Sequence, residues 1–254
     1  MGRQRERDAG RRRRLACALS LLACGCGADP GVPGDDRYAR SAMPIEREWR
    51  RESEIPRAQD RGMAMWEVSL HPPGTTPTRD ERRAAEELIE RSHRAVLARG
   101  WQDHEQALAD GFHLMPHDIR HYQNDEFLLD DRILDPDRPE FLMYYPTPEG
   151  MALTGLMLLV RSPDERGPQV GGPLTVWHYH IWRQARCYRD GVINVGVARR
   201  DGLGCREAVA SHRSPEMLHV WLVDRPGGPF ATTMYLEAAS VPGLLAKRTQ
   251  ERGY

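Results

Sequence analysis

The sequence predicts an α+β domain in which short N-terminal helices precede a mainly antiparallel β-sheet or barrel. Apolar residues repeat every three or four positions between residues 78 and 110, whereas alternating or continuous apolar runs bounded by Gly and Pro follow residue 112. The connections between those runs are too short for helical crossovers, which favours antiparallel pairing. The chain has 254 residues and is 40% hydrophobic, which is enough for one sizeable core.

The N-terminus predicts export. Arg11-Arg12-Arg13-Arg14 precede an apolar run at 15–23, which is too short for a permanent membrane helix and has the flanks of a secretory signal. The run ends in Leu21-Leu22-Ala23-Cys24, which resembles the lipobox of bacterial lipoproteins. That resemblance implies a signal peptide at 1–23, lipid attachment to Cys24, and a cell-envelope location on the periplasmic side or at the cell surface. The alternatives are lipid attachment to Cys26, an apolar leader without lipidation, and a wrongly assigned start codon.

The charge distribution excludes nucleic acid as a partner. Residues 1–23 carry a local charge of +5, which leaves −6 for the remainder of a chain whose formal net charge is −1. An acidic remainder without a basic stripe lacks the electrostatic footprint that binding to a phosphate backbone requires.

A flexible polar tether is predicted at 24–78, ahead of a globular domain at 79–254. Residues 25–78 contain seven Pro and six Gly together with charged clusters, a composition that disfavours a packed core. Within the tether, Trp66-Glu67-Val68-Ser69-Leu70 alternates between apolar and polar residues. That pattern predicts an edge strand that joins the domain before Pro72.

Two helices open the domain. Thr78 and Glu81 have the spacing of a capping box, the apolar stripe that follows has helical period, and Gly100 ends it. A second short helix is predicted over about 103–110. Strands are predicted at 139–145, 151–160, 174–182, 192–197 and 217–223.

Two cysteines remain inside the domain, Cys187 and Cys205. Cysteines in an oxidising compartment usually pair, and closing a loop of 18 residues contributes about 3 kcal/mol in the chain-entropy treatment. The alternative is that Cys187 is a thiolate ligand of a metal.

Histidines are the residues by which this sequence is best able to bind a metal. In Trp177-His178-Tyr179-His180 the two imidazoles stand at i and i+2 of a predicted strand, so both project from the same face. Such a pair is a common way to offer two nitrogens to a metal. His219, on another predicted strand, can add a third imidazole. The alternative is that these histidines are polar-face or hydrogen-bonded core residues.

The spacing Gly172-x5-His178-x-His180-x3-Gln184-x6-Gly191 resembles the first motif of the cupin family, with Gln184 where the family has Glu. This resemblance implies a small antiparallel barrel whose two histidines bind a metal together with the Glu and a histidine from a second motif. The second cupin motif is not present, and His219 is the nearest candidate for its histidine.

Further candidates are His113, His117, His121 and Glu140. Pro116 breaks the helix on which the three histidines would share one face, so His113 is best interpreted as solvated. Glu140, which follows Pro139 at the start of a strand, is a candidate fourth ligand or general base. A solvated strand-end residue is the alternative.

A longer resemblance spans most of the domain. The segments His121-Tyr122-Gln123-Asn124, Trp177-His178-Tyr179-His180 and Leu218-His219-Val220-Trp221-Leu222 resemble a family of exported bacterial proteins with no assigned reaction. The resemblance implies an extracytoplasmic domain with His121, His178, His180 and His219 as pattern positions.

Two hypotheses follow from the sequence. The first is an anchored lipoprotein that holds a transition metal through His178, His180 and His219, supplemented by His121 or Glu140, with zinc or copper favoured over iron and enzymatic activity left open. The second is a non-enzymatic envelope protein that binds a small molecule or an envelope protein through an aromatic surface. The aromatic residues of that surface are Trp177, Tyr179, Trp182 and Trp221.

Overall fold

The computed structural model describes residues 49–52, 63–69, 71–72, 74–199, 204–234 and 236–252. The predicted signal peptide at 1–23, the predicted lipid acceptor Cys24 and much of the predicted tether lie outside the described residues. No described helix has both the length and the apolar character needed to cross a membrane.

Four α-helices are described: α1 (Arg79–Arg99), α2 (His104–Ala109), α3 (Asp125–Leu129) and α4 (Val241–Arg252). The predicted capping box of α1 is confirmed, because the Glu81 N–H donates to the Thr78 hydroxyl and the Thr78 N–H donates to the Glu81 carboxylate. Gly100 ends α1 in the left-handed conformation, at φ 71°. Local capping chemistry therefore determines where α1 begins and ends.

The described residues form ten strands in one sheet. The bounds are β1 (Trp49–Glu52), β2 (Met63–Ser69), β3 (Phe112–Leu114), β4 (His121–Asn124), β5 (Phe141–Thr147), β6 (Gly150–Leu159), β7 (Trp177–Arg189), β8 (Ile193–Val197), β9 (Val209–Arg213) and β10 (Met217–Trp221). The strand order is β1-β2-β7-β10-β6-β5-β4-β3, and both β8 and β9 pair with β7.

The α+β class with a mainly antiparallel sheet is confirmed, whereas a closed barrel is not formed. Every strand pair is antiparallel, and the path ends at β1 on one side and at β3 on the other. These two end strands have four and three residues and do not pair with each other. Among the described strands, the cupin-like barrel that the resemblance implied is thus replaced by an open sheet.

The sheet takes two strands from the stretch predicted as a tether. The strand predicted at Trp66–Leu70 is β2, but it pairs with β1 on one side and β7 on the other, so it is not an edge strand. Sequence reasoning also missed β1, β3, β4 and β9, which have three to five residues and lack the apolar runs by which the equally short β8 and β10 were predicted.

The two faces of the sheet have different partners. One face packs against α1 through a core that includes Leu142, Leu156, Trp177 and Leu218. Because side chains alternate along a strand, the neighbouring residues project from the opposite face. We call that opposite face the histidine face, and it includes His178, His180, His219, Phe141, Met143, Met157, Leu159, Met217 and Trp221.

Candidate functional site

The structure brings four sequence-predicted histidines together: His178, His180, His219 and His121, called the histidine cluster below. The ring centroids of His178 and His219 are 4.5 Å apart, and those of His178 and His180 are 5.7 Å apart. His121 stacks toward His219 at 6.2 Å. All four imidazoles therefore lie within one small volume on the histidine face.

Curvature of the sheet places His121 in the cluster. His121 begins β4, which is separated from β10 by β5 and β6. In a flat sheet, three strand spacings would separate the two backbones by about 14 Å, yet the His121 and His219 rings are 6.2 Å apart. The register shift between Met143 and Tyr144 of β5 leaves one extra residue, Thr154, on β6, and a bulge of this kind bends the strand that carries it.

In two members of the cluster, one ring nitrogen has a hydrogen-bond partner and the other has none. The Nδ1 atom of His121 lies 3.0 Å from the Asp118 carboxylate, and the Nδ1 atom of His219 lies 3.2 Å from the Ala231 carbonyl oxygen. The Nε2 atoms of both rings are buried without a hydrogen-bond partner. A carboxylate or carbonyl on one nitrogen, with the other nitrogen free, is the usual arrangement of a metal-binding histidine.

The ring nitrogens of the other two members, His178 and His180, have fewer hydrogen-bond partners still. Neither ring nitrogen of His178 has a hydrogen-bond partner, and the Nδ1 atom of His180 has none. His178 is 0% exposed, so bulk solvent does not reach its ring. Leaving a buried polar atom unpaired costs about 1–3 kcal/mol.

Burial keeps the inner imidazoles neutral. Desolvation, followed by the neighbouring histidines, lowers the pKa of His178 and of His219 well below its ordinary value. The same effects lower the pKa of His180 to about 4. Neutral imidazole is the form that binds a metal, so these rings require no proton loss at neutral pH.

The Asp118 carboxylate beside the His121 ring is ionised. Burial opposes ionisation of this carboxyl, but the charge and hydrogen bond of His121, together with backbone N–H donors, outweigh burial and hold the pKa of Asp118 below its usual range. Asp118 accepts the backbone N–H groups of Ile119, Arg120 and His121. These bonds fix the carboxylate that orients the His121 ring.

A cavity of about 330 Å³ borders the cluster. His121 and His180 line it, while His178 and His219 lie behind them, at 0% and 2% exposure. Most of the remaining wall is apolar, and polar groups come from Arg120, Arg186, Asn194 and Ser214 among others. A small organic molecule in this cavity would lie beside the imidazoles.

In this conformation the cluster does not form a ligand set. Throughout the part of the chain that the structure describes, no three His, Cys, Asp or Glu side chains are arranged so that they could hold a metal ion. The cluster is therefore a group of neighbouring imidazoles, each of which has at least one buried ring nitrogen without a hydrogen-bond partner.

Other predicted residues lie elsewhere. The Glu140 carboxylate accepts the Leu159 N–H at 3.1 Å, and burial raises its pKa well above the ordinary value. Glu140 is thus a buried acid bonded to backbone, and it does not line the cavity. Gln184, the cupin-motif position, is exposed and donates to the Ala198 carbonyl. His113 is exposed and contacts Gln123.

Cys187 and Cys205 form a disulfide, with Cα atoms 5.4 Å apart. The bond joins β7 to the segment just before β9. In this arrangement the Cys187 sulfur is bonded to sulfur, which leaves no thiolate to offer to a metal.

The predicted aromatic surface is mostly interior. Trp177, Tyr179 and Trp221 are 0%, 5% and 2% exposed, and the Trp177 indole N–H donates to the Pro168 carbonyl. Trp182 lines the cavity. The four residues therefore do not form one exposed surface.

Sequence reasoning missed Asp118 and Glu67. Asp118 stands three residues before His121, a spacing from which a carboxylate can reach the ring in a turn. Glu67 of β2 is directly opposite His178 of β7, and it accepts a hydrogen bond from the Thr232 hydroxyl at 2.7 Å. The only sequence signal for Glu67 was the apolar–polar alternation at Trp66–Leu70. That pattern predicts a strand, but it does not show that Glu67 lies opposite His178.

Comparisons with protein-family models, with curated proteins and with solved structures find no match to this chain.

Proposed function

We propose that the protein is a membrane-anchored envelope lipoprotein whose histidine cluster binds a transition metal of the zinc, copper or iron class. The observation that supports the metal site is a set of five buried ring nitrogens without hydrogen-bond partners. They are His121 Nε2, His178 Nδ1, His178 Nε2, His180 Nδ1 and His219 Nε2. Protein interiors rarely leave so many polar atoms unpaired in one place, and a metal would satisfy them.

The ring spacing supports the same proposal. A tetrahedral zinc ion with imidazole nitrogens at about 2.0–2.1 Å places ring centroids about 5 Å apart. The observed centroid distances of 4.5, 5.7 and 6.2 Å bracket that value. The proposal requires these side chains to rotate so that their nitrogens face a common point, because the described side chains form no ligand set in this conformation.

The cluster lies beside the cavity, and this position indicates which chemistry a bound metal would supply. Because His121 and His180 line the cavity, a metal held by the cluster would border the space that a small molecule can enter. A transition metal there would supply Lewis-acid or redox chemistry, with the apolar wall excluding water. Asp118 would orient His121 toward the metal and the Ala231 carbonyl would orient His219.

The metal proposal is tested by elemental analysis of the purified full-length protein after loading with zinc, copper or iron and removal of excess metal. We expect close to one metal per chain. The His121→Gln/His180→Gln variant should lose it, while the His113→Gln variant, which alters an exposed histidine that does not line the cavity, should retain it. A folded parent that retains no metal, or equal retention by both variants, would refute the site.

Anchoring is tested separately. Arg11–Arg14, the apolar run and Cys24 support lipidation. In cells, Cys24→Ala should move the protein from the membrane fraction to the soluble fraction, while Cys26→Ala should leave it membrane-bound. Membrane association that survives Cys24→Ala would contradict lipidation at this residue.

A second candidate function is metal-free binding of an apolar small molecule. The observation that favours it is the largely apolar wall of the 330 Å³ cavity, together with the lack of a preformed ligand set among the described side chains. It predicts that the metal-free protein binds an apolar fluorescent probe, and that added metal does not change that affinity.

A further inference from the structure

Each histidine of the cluster has a methionine directly opposite it on a neighbouring strand. His219 of β10 pairs with Met157 of β6, and His178 of β7 pairs with Met217 of β10. His121 of β4 pairs with Met143 of β5, and His180 of β7 pairs with Met65 of β2. The chain has ten methionines in all, so four such pairings around four histidines concentrate them strongly.

These methionines share the face and the burial of the histidines. Directly opposed residues of an antiparallel pair project from the same face, with Cβ atoms about 4.5–5.5 Å apart. Met143, Met157 and Met217 are at most 7% exposed. Met157 and Met217 also line the cavity together with His121 and His180. The thioethers of these two residues therefore border the same space as the imidazoles.

General core packing does not account for this distribution. Methionine fills irregular gaps in many cores, and such use would spread it over both faces of the sheet. The core between the sheet and α1 has no methionine among its fully buried described members, and only Met151 packs at its margin. The core on the histidine face contains Met143, Met157 and Met217, with Met115 and Met234 packed against it.

We infer that the metal of the histidine cluster is copper in the Cu(I) state, held by imidazole nitrogens together with the thioether sulfurs of Met157 and Met217. Thioethers are soft ligands that select Cu(I), whereas zinc sites use thiolate, imidazole or carboxylate. The inference rests on the proposed metal site and names the ion that this site prefers.

The test compares Cu(I) and Zn(II) affinities of the full-length protein under anaerobic conditions, by competition against a chromophoric chelator of known affinity for each ion. The Met157→Leu/Met217→Leu variant removes two sulfurs at nearly constant volume, which cores tolerate well. Met151→Leu is the matched control, since Met151 packs on the opposite face. X-ray absorption at the copper edge reports directly whether sulfur is bound.

We expect the parent to bind one Cu(I) with sulfur among its ligands. The double variant should bind Cu(I) about tenfold more weakly or worse, with Zn(II) affinity unchanged, and Met151→Leu should match the parent. Unchanged Cu(I) affinity, equal losses for both ions, or a nitrogen-only copper spectrum would overturn the copper inference while leaving a histidine metal site standing. Failure of the parent to bind either ion would overturn the proposed function as well.

Discussion

Acidification should destabilise the metal-free protein through His180. Its pKa is lowered from 6.5 to about 4, so the unfolded chain takes up a proton at this residue well before the folded protein does. A depressed histidine pKa contributes stability that is present above about pH 6.5 and is lost as the pH falls toward about 4. The full effect corresponds to about 3 kcal/mol, of which about 2 kcal/mol should be lost at about pH 4.5.

The measurement is urea unfolding with a chelator present, at about pH 7.5 and about pH 4.5, on the parent and on His180→Gln. The parent should lose about 2 kcal/mol more than the variant, because glutamine does not titrate. Glu140, whose raised pKa acts in the opposite direction, is present in both proteins and cancels. His113→Gln, an exposed histidine, should behave like the parent. Equal losses in the parent and in His180→Gln would refute the assignment of His180 as an imidazole that is kept neutral in the folded protein.

Three further outcomes are expected. Asp118→Asn should lower metal affinity about tenfold by isothermal titration, because the amide no longer holds the His121 ring with a charge, and an unchanged affinity would contradict that role. Gly155→Ala should cost about 1–3 kcal/mol in urea unfolding, because its Cβ would lie 2.6 Å from a side chain and 2.7 Å from a carbonyl oxygen. Gly243→Ala, in α4 where the space is open, should stabilise by up to about 1 kcal/mol, and equal effects of the two substitutions would count against the packing. Reduction of the Cys187–Cys205 bond should cost about 3 kcal/mol for a separation of 18 residues, measured as a lower melting temperature on adding reductant, and the Cys187→Ser/Cys205→Ser variant should not respond.

Part of the site was predictable because it is local. His178 and His180 share a face wherever the backbone is extended, since the side-chain period of a strand is two. His219 was predictable as a strand residue, and its strand is β10. The capping box of α1 was likewise readable from Thr78 and Glu81, which are three residues apart.

The remainder of the site depends on contacts between distant segments. Glu140 had the residue type of a ligand, yet the structure bonds its carboxylate to the Leu159 N–H. Apart from Met217, which stands two residues before His219, the methionines have no short sequence spacing to the histidines, because each pairing joins a different pair of strands. Strand register and sheet curvature are set by all the packed side chains together, so no short window of sequence specifies them.

Local sequence patterns were enough to predict the α+β class, the ends of α1 and the shared face of His178 and His180. Each of these depends on backbone geometry over a few residues. Contacts between distant segments set three features that local patterns do not predict: the sheet is open, β6 carries a bulge between the strands of His121 and His219, and a methionine stands opposite each histidine. Those features depend on the register and twist of strands that are far apart in the chain, which the packing of both faces of the sheet determines.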